Sequence, residues 1–112
     1  MKITKKEAEI KAKFGIDLWV YKTGTEKAGF AYIETTGGHL EEFYNKVSTF
    51  IYYILEGEGT FFLDGVATPA KATDLLVIRP NTKIYYLGKM KLNLITVPAW
   101  KLEDEVHVRD IN

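Results

Sequence analysis

Short apolar runs, separated by breaks containing Gly, Pro or Asn, recur along the chain at intervals of roughly ten residues. The strongest is Thr49–Gly65. Apolar and aromatic residues fill Phe50–Leu55, the run breaks at Glu56-Gly57-Glu58-Gly59, and a second run, Thr60–Leu63, reaches Asp64-Gly65. Val, Ile, Thr, Tyr and Phe suit a half-buried pleated surface, and Gly-containing breaks suit tight reversals. The pattern predicts two strands joined by a turn at Glu56–Gly59, with another turn at Asp64-Gly65. Further strands are predicted over Ile16–Tyr21, Ala28–Thr35, Leu40–Lys46, Asp74–Arg79, Lys83–Leu87 and Leu92–Val97, with one more at Glu105–Val108 in a peripheral tail. In Leu40–Lys46, strict alternation puts Leu40, Glu42, Tyr44 and Lys46 on one face and Glu41, Phe43 and Asn45 on the other. Val66–Lys71, with Pro69, reads as a connection, and Pro80-Asn81-Thr82 and Gly88-Lys89 read as turns. At the amino end Thr4-Lys5-Lys6-Glu7 matches a capping box, which predicts a short helix with Ala8, Ile10, Ala12 and Phe14 as its apolar positions and Gly15 as its stop. Eight or nine short strands without repeated helices predict an all-β sandwich or barrel rather than a parallel βαβ sheet.

Composition narrows the function classes. A chain of 112 residues makes one domain, 1–112, with its core at approximately 16–98. It has no cysteine, which removes disulfides, thiolate metal sites and a cysteine nucleophile, and fits a cytoplasmic location. Fifteen basic and fifteen acidic side chains cancel, against the basic face expected of a nucleic-acid binder. No apolar run approaches the ~20 residues of a membrane span. Seven Tyr, six Phe and two Trp suit both a β-sheet core and a pocket lined by rings.

With these strands placed, Tyr53-Ile54-Leu55-Glu56-Gly57-Glu58-Gly59 resembles the strand-and-turn signature of the cupins, small single-domain β-barrels of the jelly-roll type. Gly38 and Gly57 stand at the two ends of the first cupin motif, and Thr73–Asn81, with Pro80 and Asn81 in the turn, has the shape of the second. The resemblance covers Gly37 to Val97. It implies a double-stranded β-helix, a cupin-like jelly-roll barrel with a short N-terminal helix, and a homodimer, which Trp19 and Trp100 near strand ends would permit. Metal-binding cupins use three His and one Glu at the motif positions. Here those positions fall on Tyr44, Lys46, Phe50 and Ile84, and a shift of one residue offers only Phe43 and Asn45. Phe and Ile cannot ligate, and Lys is cationic, so no metal and no other cofactor is expected.

In the register that the resemblance implies, Tyr44, Lys46, Phe50, Tyr52 and Ile84 point into the barrel, joined by Tyr86, which follows Ile84 by two. Such a lining suits a small polar molecule such as a sugar or small acid, and the first functional expectation is metal-independent binding of one. The second is an isomerase, epimerase or lyase with Lys46 or Glu42 as base and Tyr44 or Tyr52 as acid. The third is a structural or interaction module whose barrel is filled by its own side chains. His39-Leu40-Glu41 forms an H-x-E pair, a weak alternative metal site through His39 and Glu41, although after Gly37-Gly38 a solvated loop histidine is the expected reading. His107 lies on the tail, and Ser48, the only serine, has no histidine near it in sequence. Glu56 and Glu58 read as solvated turn charges. Lys83, Lys89 and Lys91 beside Tyr85 and Tyr86 do not amount to a nucleic-acid site on a neutral chain.

Overall fold

The computed structural model describes all residues, Met1–Asn112. Alternating apolar positions produce nine strands: β1 (Glu9–Lys13), β2 (Ile16–Tyr21), β3 (Gly29–Thr35), β4 (Gly38–Asn45), β5 (Thr49–Leu63), β6 (Val66–Lys71), β7 (Leu75–Ile78), β8 (Ile84–Val97) and β9 (Glu105–Asp110). All pairings are antiparallel, in the order β1-β2-β3-β8-β4-β9, with β5 joined to β6, β7 and β8. The long strands β5 and β8 run beside each other from Thr49↔Val97 to Leu63↔Ile84. One half of this ribbon pairs with β3 and β7, the other with β4 and β6. Bending the ribbon curls the sheet on itself. Its inner face collects Ile16, Leu18, Ala31, Ile33, Phe50, Tyr52, Ile54, Phe61, Tyr86, Leu92 and Leu94 into a buried cluster of 17 residues. This is the cupin-like jelly-roll barrel that the resemblance implies. No helix is long and apolar enough to cross a membrane.

Several local expectations are corrected. The amino-terminal helix is one 3-10 turn, Lys5–Glu7, and the chain is extended again by Glu9. The Glu7 carboxylate does accept from the Thr4 amide at 3.2 Å and the Thr4 hydroxyl at 2.9 Å. Beyond it, Ile10 and Ala12 follow a two-residue period, and β1 pairs with β2. The turn expected at Glu56–Gly59 does not form, since β5 continues through it, nor does the one at Gly88-Lys89, since β8 is unbroken. Glycine here permits close approach of the two long strands: a Cβ on Gly57 would lie 2.1 Å from the Lys89 carbonyl oxygen. The irregularity between Ile54 and Glu56 marks the bend. The reversal comes at Asp64-Gly65, both at positive φ (50° and 79°), and returns into Val66–Lys71, a strand and not a connection. Pro69 is tolerated there because β6 pairs on one side only.

Gly38 sets the corner from which β4 departs. Its φ is +116°, and a Cβ would lie 2.1 Å from the Tyr86 carbonyl oxygen. Its amide donates to the Thr35 hydroxyl at 2.8 Å. Gly37 beside it has nothing within 4 Å of such a Cβ. Gly38→Ala is therefore expected to cost about 2 kcal/mol or more from backbone strain and the clash. Gly37→Ala should stay within about 0.5 kcal/mol. Urea denaturation of the two variants checks this, and equal stabilities would contradict the account.

Candidate functional site

The curled sheet is not filled by its own side chains. It encloses an open cavity of about 430 Å³, inside the usual range of roughly 300–1,000 Å³ for small-molecule pockets. Ile16, Leu18, Ala31, Ile33, Phe43, Phe50 and Leu94 belong to its apolar wall. Set into it are His39, Tyr52, Tyr86, Glu105 and, toward the mouth, Lys11, Lys13 and Trp100.

The three rings His39, Tyr52 and Tyr86 are brought together by pairing. His39 on β4 lies opposite Tyr86 on β8, with ring centroids 5.7 Å apart. Tyr86 lies opposite Phe61 on β5, stacked at 4.7 Å, and Tyr52, further along β5, meets Tyr86 edge-on at 5.6 Å. His39 is 4 % exposed. Its Nδ1 lies 3.0 Å from the Glu41 carbonyl oxygen. That oxygen can only accept, so Nδ1 carries the proton and Nε2 keeps its lone pair. Nε2 is 3.9 Å from Glu41 Oε1. Burial lowers the imidazole pKa from 6.5 to about 4, so the ring is a neutral base through the neutral range. Burial raises both Tyr52 and Tyr86, which stay protonated as donors. The Tyr86 hydroxyl is buried with no protein partner.

The depressed His39 pKa has a stability consequence. The unfolded chain takes up this proton below about pH 6.5 and the folded one only near 4. The neutral ring thus favours the fold fully above 6.5, and this contribution is lost as pH falls through 4. The difference is on the order of 3 kcal/mol between pH 7 and pH 4. His107 has the opposite sign: hydrogen bonding to Glu41 raises its pKa, so its contribution is present below 6.5 and fades as pH rises. Urea denaturation at both pH values should show an acid-side loss that is smaller by about this amount in His39→Gln. An identical loss in the variant would contradict the assignment.

The sequence-predicted residues divide. Phe50, Tyr52 and Tyr86 line the cavity. Ile84 is buried in the core but does not reach the cavity. Tyr44 and Lys46 are outside it, Tyr44 half-buried and Lys46 exposed. The reason is phase: β4 sets His39 opposite Tyr86 and Phe43 opposite Ile84, and its odd-numbered face lines the cavity. The two lie four residues apart, so the irregularity between them leaves the phase unchanged, and it is opposite to the one implied by setting the first cupin motif on Tyr44 and Lys46. Glu42 is buried outside the cavity and accepts from Arg109 Nε at 2.9 Å. His39 is not a solvated loop residue, because Gly38 opens a strand there instead of a loop. The tail is not peripheral: β9 pairs with β4, placing His107 Nδ1 2.7 Å from Glu41 Oε2 and Glu105 on the cavity wall. Glu105 and Trp100 were missed, and no local signal marks them, since their placement depends on β9 pairing with a strand some sixty residues earlier. Ser48 donates its hydroxyl to the Pro98 carbonyl, with no histidine in contact.

The donor set does not fit the three-histidine, one-glutamate ion site of metal-binding cupins. With β4 in its observed register, Phe43, Phe50 and Ile84 occupy the neighbourhood of the motif positions, and His39 is the one imidazole on the cavity wall. No group of three or more His, Asp or Glu side chains converges on a common point, His39 and Glu41 included.

No family model matches the chain, and no curated protein matches it. Solved structures do. Pac13, described as a nucleoside dehydratase, is 42% identical with TM-score 0.98, over 100% of this chain and 93% of that one. A Streptomyces Pac13 variant with a histidine changed to glutamine, solved with uridine, is 41% identical with TM-score 0.97, over 99% and 92% of the two chains. An RmlC-like cupin from Shewanella frigidimarina shares the fold alone, at 18% identity and TM-score 0.73 over 86% and 88%. The barrel, its open cavity and this identity over nearly the whole length together place the chain as a small-molecule-binding cupin that belongs to the family of Pac13.

Proposed function

We propose that the chain is a metal-independent dehydratase that binds a uridine-like nucleoside in the cavity and eliminates water from its sugar. The observation that carries this reading is the convergence of His39, Tyr52 and Tyr86 on one cavity. Three Pac13 variants solved with uridine change one histidine and two tyrosines. The histidine precedes the first tyrosine by thirteen residues, and the second tyrosine follows by thirty-four, the same intervals that separate His39, Tyr52 and Tyr86.

Elimination of water requires a base for a C–H proton and a donor for the departing hydroxyl. An imidazole takes only a proton made acidic by a neighbouring carbonyl, so the nucleoside turned over carries a carbonyl on its sugar. His39 Nε2 removes that proton. The C–H electron pair forms the carbon–carbon double bond, and the C–O bond to the adjacent hydroxyl breaks. The Glu41 carboxylate, 3.9 Å from Nε2, stabilises the imidazolium. Tyr52 and Tyr86 supply hydrogen bonds to the carbonyl oxygen that gathers charge and to the leaving hydroxyl, and the proton taken by Nε2 is returned to that hydroxyl, which departs as water and leaves the imidazole neutral. Apolar walls keep bulk water from competing for these donors.

The same proposal includes the homodimer. Its contact would be the outer sheet face, where Ile51 lies between Val77 and Ile95 across the strands and Val77 is 61 % exposed. A monomer mass by sedimentation would remove that part alone.

Tyr86→Phe tests the nucleoside reading. Removing an unpartnered buried hydroxyl should stabilise the ligand-free protein by about 1 kcal/mol, and weaken uridine binding roughly five- to twentyfold. Opposite signs for stability and affinity are the expected result. Unchanged uridine affinity would exclude the hydroxyl as a ligand contact.

A further inference from the structure

Two carboxylates lie along the cavity. Glu26 is exposed on a loop, whereas Glu105 reaches the wall from the first position of β9. Glu105 is held in place from one side. Its Oε2 accepts from the Trp100 indole Nε1 at 2.9 Å, and the Trp100 amide donates to the Thr96 hydroxyl at 3.1 Å. Its Oε1 has no hydrogen-bond partner in the protein, and no cation forms an ion pair with it, although Lys13 lines the same cavity. It lines the same cavity as Tyr52 and Tyr86, and its charge is among the lesser influences that raise the Tyr52 hydroxyl.

A carboxylate accepts hydrogen bonds and donates none when ionised, so an anchored one with a free oxygen selects ligands by their donors. On a nucleoside the donors are the sugar hydroxyls and the N–H groups of the base. The hydroxyl that leaves is on the sugar, and so the sugar must lie against His39, Tyr52 and Tyr86. Glu105 faces the same cavity from the anchor at Trp100, and in this proposal it meets the sugar as well. Two adjacent hydroxyls match the fork of a carboxylate, which is how acidic side chains hold ribose in dinucleotide sites.

We infer that Glu105 is the specificity-determining residue of the cavity: its carboxylate accepts from the vicinal hydroxyls of ribose, so that ribonucleosides are taken and 2′-deoxyribonucleosides rejected. This rests on the nucleoside reading above. A half-buried acceptor that the ligand cuts off from water without offering it a donor is the source of the rejection, a stronger filter than a missing apolar contact.

The test is calorimetric titration of the full chain with uridine and with 2′-deoxyuridine, for wild type, Glu105→Gln and Glu105→Asp. Wild type should favour uridine about ten- to a hundredfold. Glu105→Gln should lose most of its uridine affinity while binding the deoxynucleoside nearly as before, so that the ratio approaches one. Glu105→Asp should fall between. It carries the test if the Gln variant does not fold. A wild-type ratio near one, or a ratio kept in the variants, overturns the inference while leaving the nucleoside reading intact. Wild type that binds neither compound overturns both.

Discussion

His39→Gln is expected to lower turnover of a uridine derivative bearing a sugar carbonyl by about 10²–10⁴-fold, the usual contribution of a positioned general base. Glutamine can keep the contact to the Glu41 carbonyl oxygen through its amide N–H, and it is close to histidine in length. Its amide cannot take a proton in the neutral range. The loss should therefore appear in kcat, with uridine binding retained, because the ground-state ligand needs no proton transfer from this side chain. Mass spectrometry of the product, which is lighter by one water, measures the rate. In wild type the rate should fall on acidification toward pH 4, where the buried imidazole becomes protonated. A variant with wild-type kcat would remove His39 as base and turn attention to Glu105, the cavity carboxylate anchored by Trp100.

Phe61→Ala carries the largest expected effect on stability. Phe61 is fully buried, stacks on Tyr86 at 4.7 Å and lies 5.2 Å from Tyr52. Removing the ring loses its transfer free energy and leaves a void behind both tyrosines, at a cost of about 3–5 kcal/mol. That is a large share of the roughly 5–15 kcal/mol that stabilises a domain. The neighbouring Phe62 stacks on Tyr85 at 4.5 Å but is only half-buried, so Phe62→Ala should cost about 1–2 kcal/mol. Urea unfolding of the pair separates the two. Where Phe61→Ala remains folded, uridine affinity should also fall, because Tyr86 loses the ring that fixes its tilt. Equal costs for the two phenylalanines would contradict the core as described.

The fold was legible wherever a strand is buried on one face and ends at residues with a single local meaning. Ile16–Tyr21 alternates cleanly and is a strand over that span. Asp64-Gly65 and Asn81 sit at positive φ in the turns their residue types favour. Glycine misled where it served a contact distant in sequence. At Gly57 and Gly88 it lets two long strands cross at close range, which sequence cannot distinguish from a reversal. The site suffered more. Tyr52 follows from the register that the cupin resemblance implies, and Tyr86 from lying two residues beyond Ile84 in it. Lys46 and Tyr44 were placed inside because the first cupin motif was set on them, which turns the even-numbered face of β4 inward, whereas His39 and Phe43 on the odd-numbered face line the cavity. That choice of face exchanged a histidine and a phenylalanine for a lysine and a tyrosine, and with them the candidate base. Glu105 depended on a tail strand finding β4, a pairing that no local pattern encodes.

The central claim is that a nucleoside occupies the space between the curled sheet's inner faces. The most direct measurement is a uridine titration followed by methyl chemical shifts. Ile16, Leu18, Ala31, Ile33 and Leu94 report on the cavity, and Val66 and Val77 on the outer surface. The account predicts saturable shifts in the first group with one common affinity, and none in the second. Absent shifts, or shifts confined to Val66 and Val77, would contradict it.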